Sequence, residues 1–276
     1  MPILHCAKPQ QRRALQLSPR SHVYIDRRLE IVVRKIALFL FVSLLALVPA
    51  ARSQQASFIV SQHGTQVGTA SFQFTAAPQG YDSTSLVRVD MQGLNYALSK
   101  SEQLSSANEL QHVQLSAIVN DSAVNVTAKP DAAQLLMNIS ADGRSSTTRL
   151  DAHAAAVFLP DFDPGALETL LALAVTHNNR DLWAILPKQA GSVAPVSLAT
   201  YADEHGTLDG KPITVHHLVA TINGAPTDLF SGPESQLLQA ELPQQGFALV
   251  RKGFVLTPPT KPVVPADIPG DAPAQQ

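Results

Sequence analysis

Apolar and polar residues alternate along most of the chain after its N-terminal fifth. Phe58 and Val60 alternate with polar residues, and a second alternating run contains Phe72 and Phe74. A short loop around Gly64 joins the two runs, which is a pattern typical of a β-hairpin. Such alternation predicts antiparallel strands with one apolar face and one solvated face.

Further alternating runs follow, and the turn sequences between them recur at about 8–12 residues, a spacing that favours a meander. Two of the turns, Asp209-Gly210 and Asn223-Gly224, are strong signals for two-residue hairpin loops. The runs are rich in Ser, Thr, Asn and Gln, which indicates an exposed outer face.

One segment breaks this pattern and predicts the only convincing helix of this region. Asp163 suits the N-cap and Pro164 the first helical position, while Glu168 falls in the first turn, on the polar side. The apolar face follows the i, i+3, i+4, i+7 spacing and consists of Leu167, Leu170, Leu171 and Ala174. Because other apolar residues cover much of the opposite side, we expect the helix to be buried.

The predicted fold is therefore mainly β. We expect a large curved antiparallel sheet, a half-barrel or clam, wrapped over one apolar helix at about residues 164–177. Residues 1–53 are predicted to form an N-terminal extension and signal peptide, and residues 54–256 a single antiparallel β domain with one helix. Residues 257–276 are rich in proline and predict a disordered tail.

Charge is divided unevenly along the chain. Residues 1–53 contain nine Lys and Arg against two acidic residues, whereas residues 54–276 contain 11 Lys and Arg against 20. An acidic domain argues against nucleic acid as a partner, because phosphates need a basic surface. The single cysteine, Cys6, precedes this domain, so the domain offers neither a disulfide nor a catalytic thiol.

The basic N-terminal part contains a secretory signal pattern. Arg34-Lys35 precede an apolar run at residues 36–48, and Ala51-Arg52-Ser53 then offers small residues to a signal peptidase. This run of 13 residues, apolar except for Ser43, would span about 20 Å as a helix, less than the ~30 Å hydrocarbon core. We expect a periplasmic or extracellular protein; the alternative is an inner-membrane anchor at residues 36–50. If translation begins at Val33, the leader has an ordinary length and the source is bacterial.

The arrangement of these motifs resembles a known group of proteins. After the first strand comes G-x-x-V-G-T-A-x-F (Gly64 to Phe72), then a meander, a lone apolar helix, and the hairpin sequences DG-K-P and NG-A-P. Over about residues 55–256 the chain resembles uncharacterised bacterial envelope domains related to the lipoprotein-localisation carrier fold. The resemblance implies a half-barrel whose apolar concave side is plugged by helices, and it implies no catalytic residues.

If the sheet shelters an apolar ligand such as a lipid, large apolar residues on its concave side would line the site. The candidates are Phe72, Phe74, Leu167, Leu170, Leu171, Ala174 and Trp183. The competing interpretation is ordinary core packing, which needs no ligand.

Polar residues near one hairpin could form a metal site. Asp203 and His205 share a face of one strand, and His216 or His217 could lie across the hairpin from them. Adjacent strand residues point to opposite faces, so the two neighbouring histidines cannot bind one ion together. Because no known ligand spacing supports a site, solvated polar residues are the favoured interpretation, and we predict neither a metal nor another cofactor.

The sequence predicts no catalytic residue. Asp161 and Asp163 could act as paired carboxylates, but capping of the helix explains their spacing more simply. The favoured function is a non-catalytic, exported cell-envelope protein that binds or carries an apolar ligand or binds an envelope partner. The alternatives are an exported hydrolase with an unrecognised site and a purely structural scaffold. Membrane contact is expected only through an uncleaved leader.

Overall fold

The computed structural model of the chain describes residues 54–188 and 191–258. This part contains 17 strands and one helix, α1 (Pro164–Thr176). The strands are β1 (Gln54–Gln62), β2 (Thr65–Ala77), β3 (Gly80–Met91), β4 (Leu94–Ser105), β5 (Leu110–Val119), β6 (Ser122–Asp131), β7 (Gln134–Ala141), β8 (Arg144–Asp151), β9 (Ala156–Phe158), β10 (Leu182–Leu186), β11 (Ser192–Thr200), β12 (Glu204–Leu208), β13 (Lys211–Ile222), β14 (Ala225–Ser231), β15 (Leu237–Leu242), β16 (Phe247–Arg251) and β17 (Phe254–Leu256).

The strands form one large sheet. β1 to β8 are a continuous antiparallel meander in which each strand pairs with the next. β1 also pairs with β16, and from there the sheet continues through β15, β14, β13, β11 and β10 to β9. β12 and β17 extend it beside the first half of β13. The prediction of a large sheet over one helix is confirmed, and the sheet is not closed on itself.

Tight turns fix the register of the hairpins. Asp209 (φ 52°) and Gly210 (φ 76°) are both left-handed, as are Asn223 (φ 51°) and Gly224 (φ 78°). Positive φ at both central residues matches the twist of the flanking strands and is the geometry that the sequence predicts at these sites. A slip of one residue would turn the apolar face of each strand outward, so the turns also protect the core.

The helix is the connection between β9 and β10, the one parallel pair among the described strands. Parallel neighbours cannot be joined by a tight hairpin and need a crossover, usually a helix. α1 packs against β2, β3, β9, β10 and β15. His177 is its C-cap, so the helix ends one residue before the predicted boundary.

The predicted apolar face of α1 is buried. Leu170 has no exposed surface, Leu171 and Ala174 are each 3% exposed, and Leu167 is 7% exposed. Val175, in contrast, is 65% exposed. The sequence predicted burial on nearly all sides of the helix, but the side that carries Val175 faces solvent. Burial of the leucines makes α1 part of the main core of the sheet.

The predicted leader, residues 1–53, lies outside the described residues, as do residues 259–276 of the predicted tail. Within the described part, no helix combines the length and the apolar character needed to cross a membrane. The described strands run from Gln54 to Leu256.

We expect Leu170→Ala to lower the free energy of unfolding by about 2–5 kcal/mol, because it leaves a cavity where a buried leucine packed. Val175→Ala, on the exposed side of the same helix, should change it by less than about 0.5 kcal/mol. Urea titrations followed by circular dichroism measure both. Equally small losses would mean that α1 contributes nothing to the core.

Candidate functional site

Two charged residues of β4 point into the apolar core. The alternation that buries Leu98 and Leu104 also turns Lys100 and Glu102 inward. These two side chains are 1% and 3% exposed. The sequence analysis did not single them out, although their position between two inward leucines is the signal that could have placed them inside.

Asp163 connects these charges to the helix. The Lys100 Nζ atom lies 2.8 Å from Glu102 Oε2 and 2.6 Å from Asp163 Oδ2. The other oxygen, Asp163 Oδ1, accepts hydrogen bonds from the backbone N–H groups of Gly165 at 2.9 Å and Ala166 at 3.2 Å. The predicted N-cap is confirmed, and the same carboxylate binds α1 to the sheet.

Mutual attraction keeps this cluster charged in an apolar setting. Burial disfavours the charged form of Lys100, but Asp163 and Glu102 outweigh burial and hold the pKa of Lys100 above its ordinary value. Burial raises the pKa of Glu102 above its ordinary value, even though the neighbouring Lys100 lowers it. The positive end of the helix dipole further stabilises Asp163.

Two serines of β3 border the cluster. Ser85 lies opposite Lys100 and Ser83 opposite Glu102. Both are buried, and neither hydroxyl has a hydrogen-bond partner among the described residues. A Cβ on Gly165 would clash with Ser85 Oγ, so only glycine permits this close approach of helix and sheet. A serine hydroxyl can act as a nucleophile when a neighbouring lysine accepts its proton. Lys100 is charged and enclosed, so it cannot accept a proton from either serine. The cluster therefore positions the helix.

Glu168 is buried, which corrects the prediction that it lies on the polar side of the helix. It is 7% exposed. Its Oε2 atom accepts a hydrogen bond from the backbone N–H of Leu237 at 2.6 Å, and Oε1 accepts one from Gln54 Nε2. Burial raises the pKa of Glu168 to about 7, although both hydrogen bonds and Arg251 lower it. Glu168 thus joins α1 to the starts of β15 and β1.

A cavity lies beside the N-terminus of α1. Its volume is about 410 Å³, within the usual range of small-molecule sites. Its apolar wall is formed by Leu159, Phe162, Leu167, Leu186, Ile222, Leu242 and Leu249. Lys188 Nζ pairs with Asp161 Oδ1 at 2.8 Å, and both of these cavity-lining side chains are well exposed.

The loop beside the cavity is held in a strained conformation. Phe162 has a φ of 57°, which is rare for a bulky residue. Its ring packs edge-on against Tyr96 and Phe247, with centroids 6.0 Å and 4.7 Å apart. The Tyr96 hydroxyl donates to the carbonyl oxygen of Asp161 at 3.4 Å, and burial raises the pKa of that tyrosine. Strain of this kind persists only where surrounding contacts over-determine it.

The seven predicted lining residues occupy different environments. Leu167 lines the cavity, and Phe74 lines a smaller cleft of about 210 Å³ beside Glu168. Trp183 is partly buried and stacks on His153 with ring centroids 3.7 Å apart. The others pack in the main core: Phe72, Leu170, Leu171 and Ala174.

The histidines considered for a metal site take separate partners. His216 Nδ1 lies 2.8 Å from Asp203 Oδ1, whereas His217 Nε2 lies 2.9 Å from Asp228 Oδ1. His205 is exposed on β12. Within residues 54–188 and 191–258, no group of three His, Cys, Asp or Glu side chains is placed to hold a metal ion.

We expect Lys100→Met to lower the free energy of unfolding by about 3–5 kcal/mol, because it leaves buried carboxylates without a cation. The matched control is Arg149→Met, which breaks an ion pair with Asp131 whose side chains are 56% and 49% exposed. That change should cost less than about 1 kcal/mol. Urea denaturation at neutral pH gives both values, and equal costs would contradict an enclosed charge cluster.

Removing every charge of the cluster should be tolerated better than removing one. In the variant Lys100→Met/Glu102→Leu/Asp163→Asn, no buried charge remains and asparagine retains the helix cap. We expect it to recover most of the stability that Lys100→Met alone loses. A further loss would mean that the ion pairs themselves stabilise the fold.

Stability should fall as pH rises between about 4.5 and 7. The folded-state pKa of Glu168, about 7, exceeds the ordinary value of 4.5, so the native state binds more protons than the unfolded state in this window. Glu168→Gln removes the titration and retains an acceptor for the Leu237 N–H. Urea titrations at about pH 5 and about pH 8 should show a smaller pH effect in the variant. Identical pH profiles would contradict the raised pKa.

Comparison with known proteins gives this site no counterpart. No protein-family model, no curated protein and no solved structure matches the chain. The resemblance to the lipoprotein-localisation carrier fold stays a prediction from the sequence.

Proposed function

We propose that this chain is an exported cell-envelope protein that binds or carries a small apolar ligand and catalyses no reaction. The cavity beside α1 is the observation that supports this function. Its apolar wall and volume of about 410 Å³ suit a single acyl chain or an apolar molecule of similar size. The apolar run at residues 36–48, with its small-residue cleavage site, supports export.

The charged pair beside the cavity suits an amphiphile. Lys188 and Asp161 line the cavity and are 67% and 46% exposed, so their mutual attraction is weakened by solvent. A ligand carboxylate or phosphate can take the place of Asp161 on the ammonium group at little cost. The ligand's chain would then lie against Leu167 and the other apolar wall residues.

The proposed ligand is small because the helix fills most of the concave side. Leu170, Leu171 and Ala174 occupy the space where a larger carrier would hold cargo. The larger open space lies beside the N-terminus of α1, between the loop at 159–163 and β10, and a smaller cleft lies beside Glu168. Cavity size therefore favours one chain over a multi-chain lipid.

The buried serine and lysine cluster does not support the alternative of an exported hydrolase. Ser83 and Ser85 are at most 1% exposed, and Lys100 is held in its charged form. A substrate carbonyl has no path to either hydroxyl in this arrangement. The cluster is better explained as the attachment of the helix.

We expect the protein to bind a fluorescent fatty-acid probe saturably. Ala225 lines the cavity, so the indole of Ala225→Trp would fill part of it and should weaken binding by about tenfold or more. The control is Ala76→Trp, an exposed position on β2 away from the cavity. It should leave the affinity within about twofold of the wild type. Fluorescence titration, with circular dichroism to verify folding, provides the measurement.

A purely structural scaffold would bind neither the probe nor any other apolar ligand. Absence of saturable probe binding, together with mass spectrometry of an organic-solvent extract that shows no co-purified amphiphile, would contradict the proposed function. Equal weakening by both tryptophan variants would show that the probe binds elsewhere.

A further inference from the structure

A band of uncharged polar side chains crosses the outer face of the meander. The register of β1 to β8 aligns one residue from each strand in a row that runs from Gln55 to Thr147. This row contains only Gln, Thr, Ser and Asn. The neighbouring row runs from Ser57 to Ser145 and contains only Ser and Asn, apart from Leu86.

The absence of charge in this band is local. Arg88 lies two residues beyond Leu86 on the same face, and Asp82 lies two residues before Thr84. Exposed protein surface is ordinarily rich in Lys, Arg, Glu and Asp, and this domain as a whole is acidic. Two adjacent rows across eight strands without an ionisable group therefore form a distinct neutral surface.

Contacts between strands order the side chains of the band. Ser116 Oγ donates to Asn125 Oδ1 at 2.8 Å, and Thr147 Oγ1 donates to Asn138 Oδ1 at 2.7 Å. Both pairs are exposed, so each amide retains donors that face solvent. Such pre-ordering lowers the entropy lost when a ligand binds.

The same face is grooved. A groove of about 620 Å³ follows the serine row, and a depression of about 370 Å³ adjoins it; both are lined by Ser57, Ser71 and Leu86. Leu86 is 58% exposed, and Ile118, also in the groove, is 48% exposed. The groove thus combines hydroxyl groups with two accessible aliphatic side chains.

We propose that this groove binds a neutral polysaccharide chain that lies across the strands. A sugar ring presents hydroxyl groups at its edge and C–H groups on its faces, which match the serines and the two aliphatic side chains. The strands repeat at about 4.8 Å, close to the rise of one sugar in an extended β-linked glycan. A neutral ligand fits the two rows themselves, which contain no cation to attract phosphate or sulfate groups; the two cations of the groove, Arg88 and Lys252, belong to neither row.

The competing ligand is an anion. Arg88 and Lys252 line the groove beside the serine row, and neither is in an ion pair with another described residue. Binding through these two cations would weaken as salt is added, whereas hydrogen bonding to a neutral glycan would not. Salt dependence therefore separates the two ligands.

The experiment is isothermal titration of the full chain with cellohexaose and chitohexaose, and with an alginate oligomer as the anionic comparison. We expect saturable, salt-independent binding of at least one neutral oligosaccharide. Asn125→Asp, nearly isosteric with the wild-type residue and in the lining of the groove, should weaken it by about tenfold, because the bound glycan would desolvate a carboxylate that has no partner. Thr214→Glu, exposed on β13, should change it by less than about twofold.

Three results would overturn the proposal. They are absence of binding to both neutral oligosaccharides, equal effects of Asn125→Asp and Thr214→Glu, and stronger, salt-sensitive binding of the alginate oligomer. Melting temperatures equal to that of the wild type keep the comparison between the two variants valid. The fatty-acid cavity and the groove have no lining residue in common, so the two tests are independent.

Discussion

The carboxylate of Asp163 joins the only described helix to the sheet. One oxygen caps the first turn of α1, and the other pairs with Lys100 in the core. A buried ion pair gives little net stability compared with apolar packing, but breaking it is costly because it strands a charge. The pair therefore fixes where the helix begins more than it strengthens the fold.

The position at which α1 begins determines where Glu168, the strained loop and the cavity lie. Glu168 provides a second attachment, to β15 and β1, so the helix is tied to both halves of the sheet. The strained loop at Phe162 carries the chain from β9 into the cap, and the cavity lies between that loop and β10. Helix position, loop strain and cavity thus depend on one another, because a shift of α1 along the sheet would break both carboxylate contacts.

The strands of the meander support different chemistry on their two faces. In β4 the inward residues include Leu98 and Lys100, while the outward residues include Ser99 and Ser101. Alternation at a period of two lets one strand supply apolar packing inside and hydroxyl groups outside. The proposed glycan groove uses the outer face of these strands, and the proposed amphiphile cavity shares no lining residue with it.

Sequence alone determined the features that depend on neighbouring residues. Alternation around Phe58 and Phe72 identified the first hairpin, Asp209-Gly210 and Asn223-Gly224 identified two later turns, and Asp163 identified the start of the helix. Backbone dihedral preferences, the two-residue period of strands and helix capping each involve only a few consecutive residues. They can therefore be recognised in the sequence without the fold.

Tertiary structure decided which distant residues meet. Glu168 seemed solvent-facing from its place in the first turn, yet its partner Leu237 comes from 69 residues along the chain. The parallel pairing of β9 with β10, the partners of Lys100, and the uncharged band likewise depend on strand order and register. Strand order and register are set by the burial of the whole apolar face of the sheet. That burial depends on residues far apart in the sequence, so no local pattern specifies it.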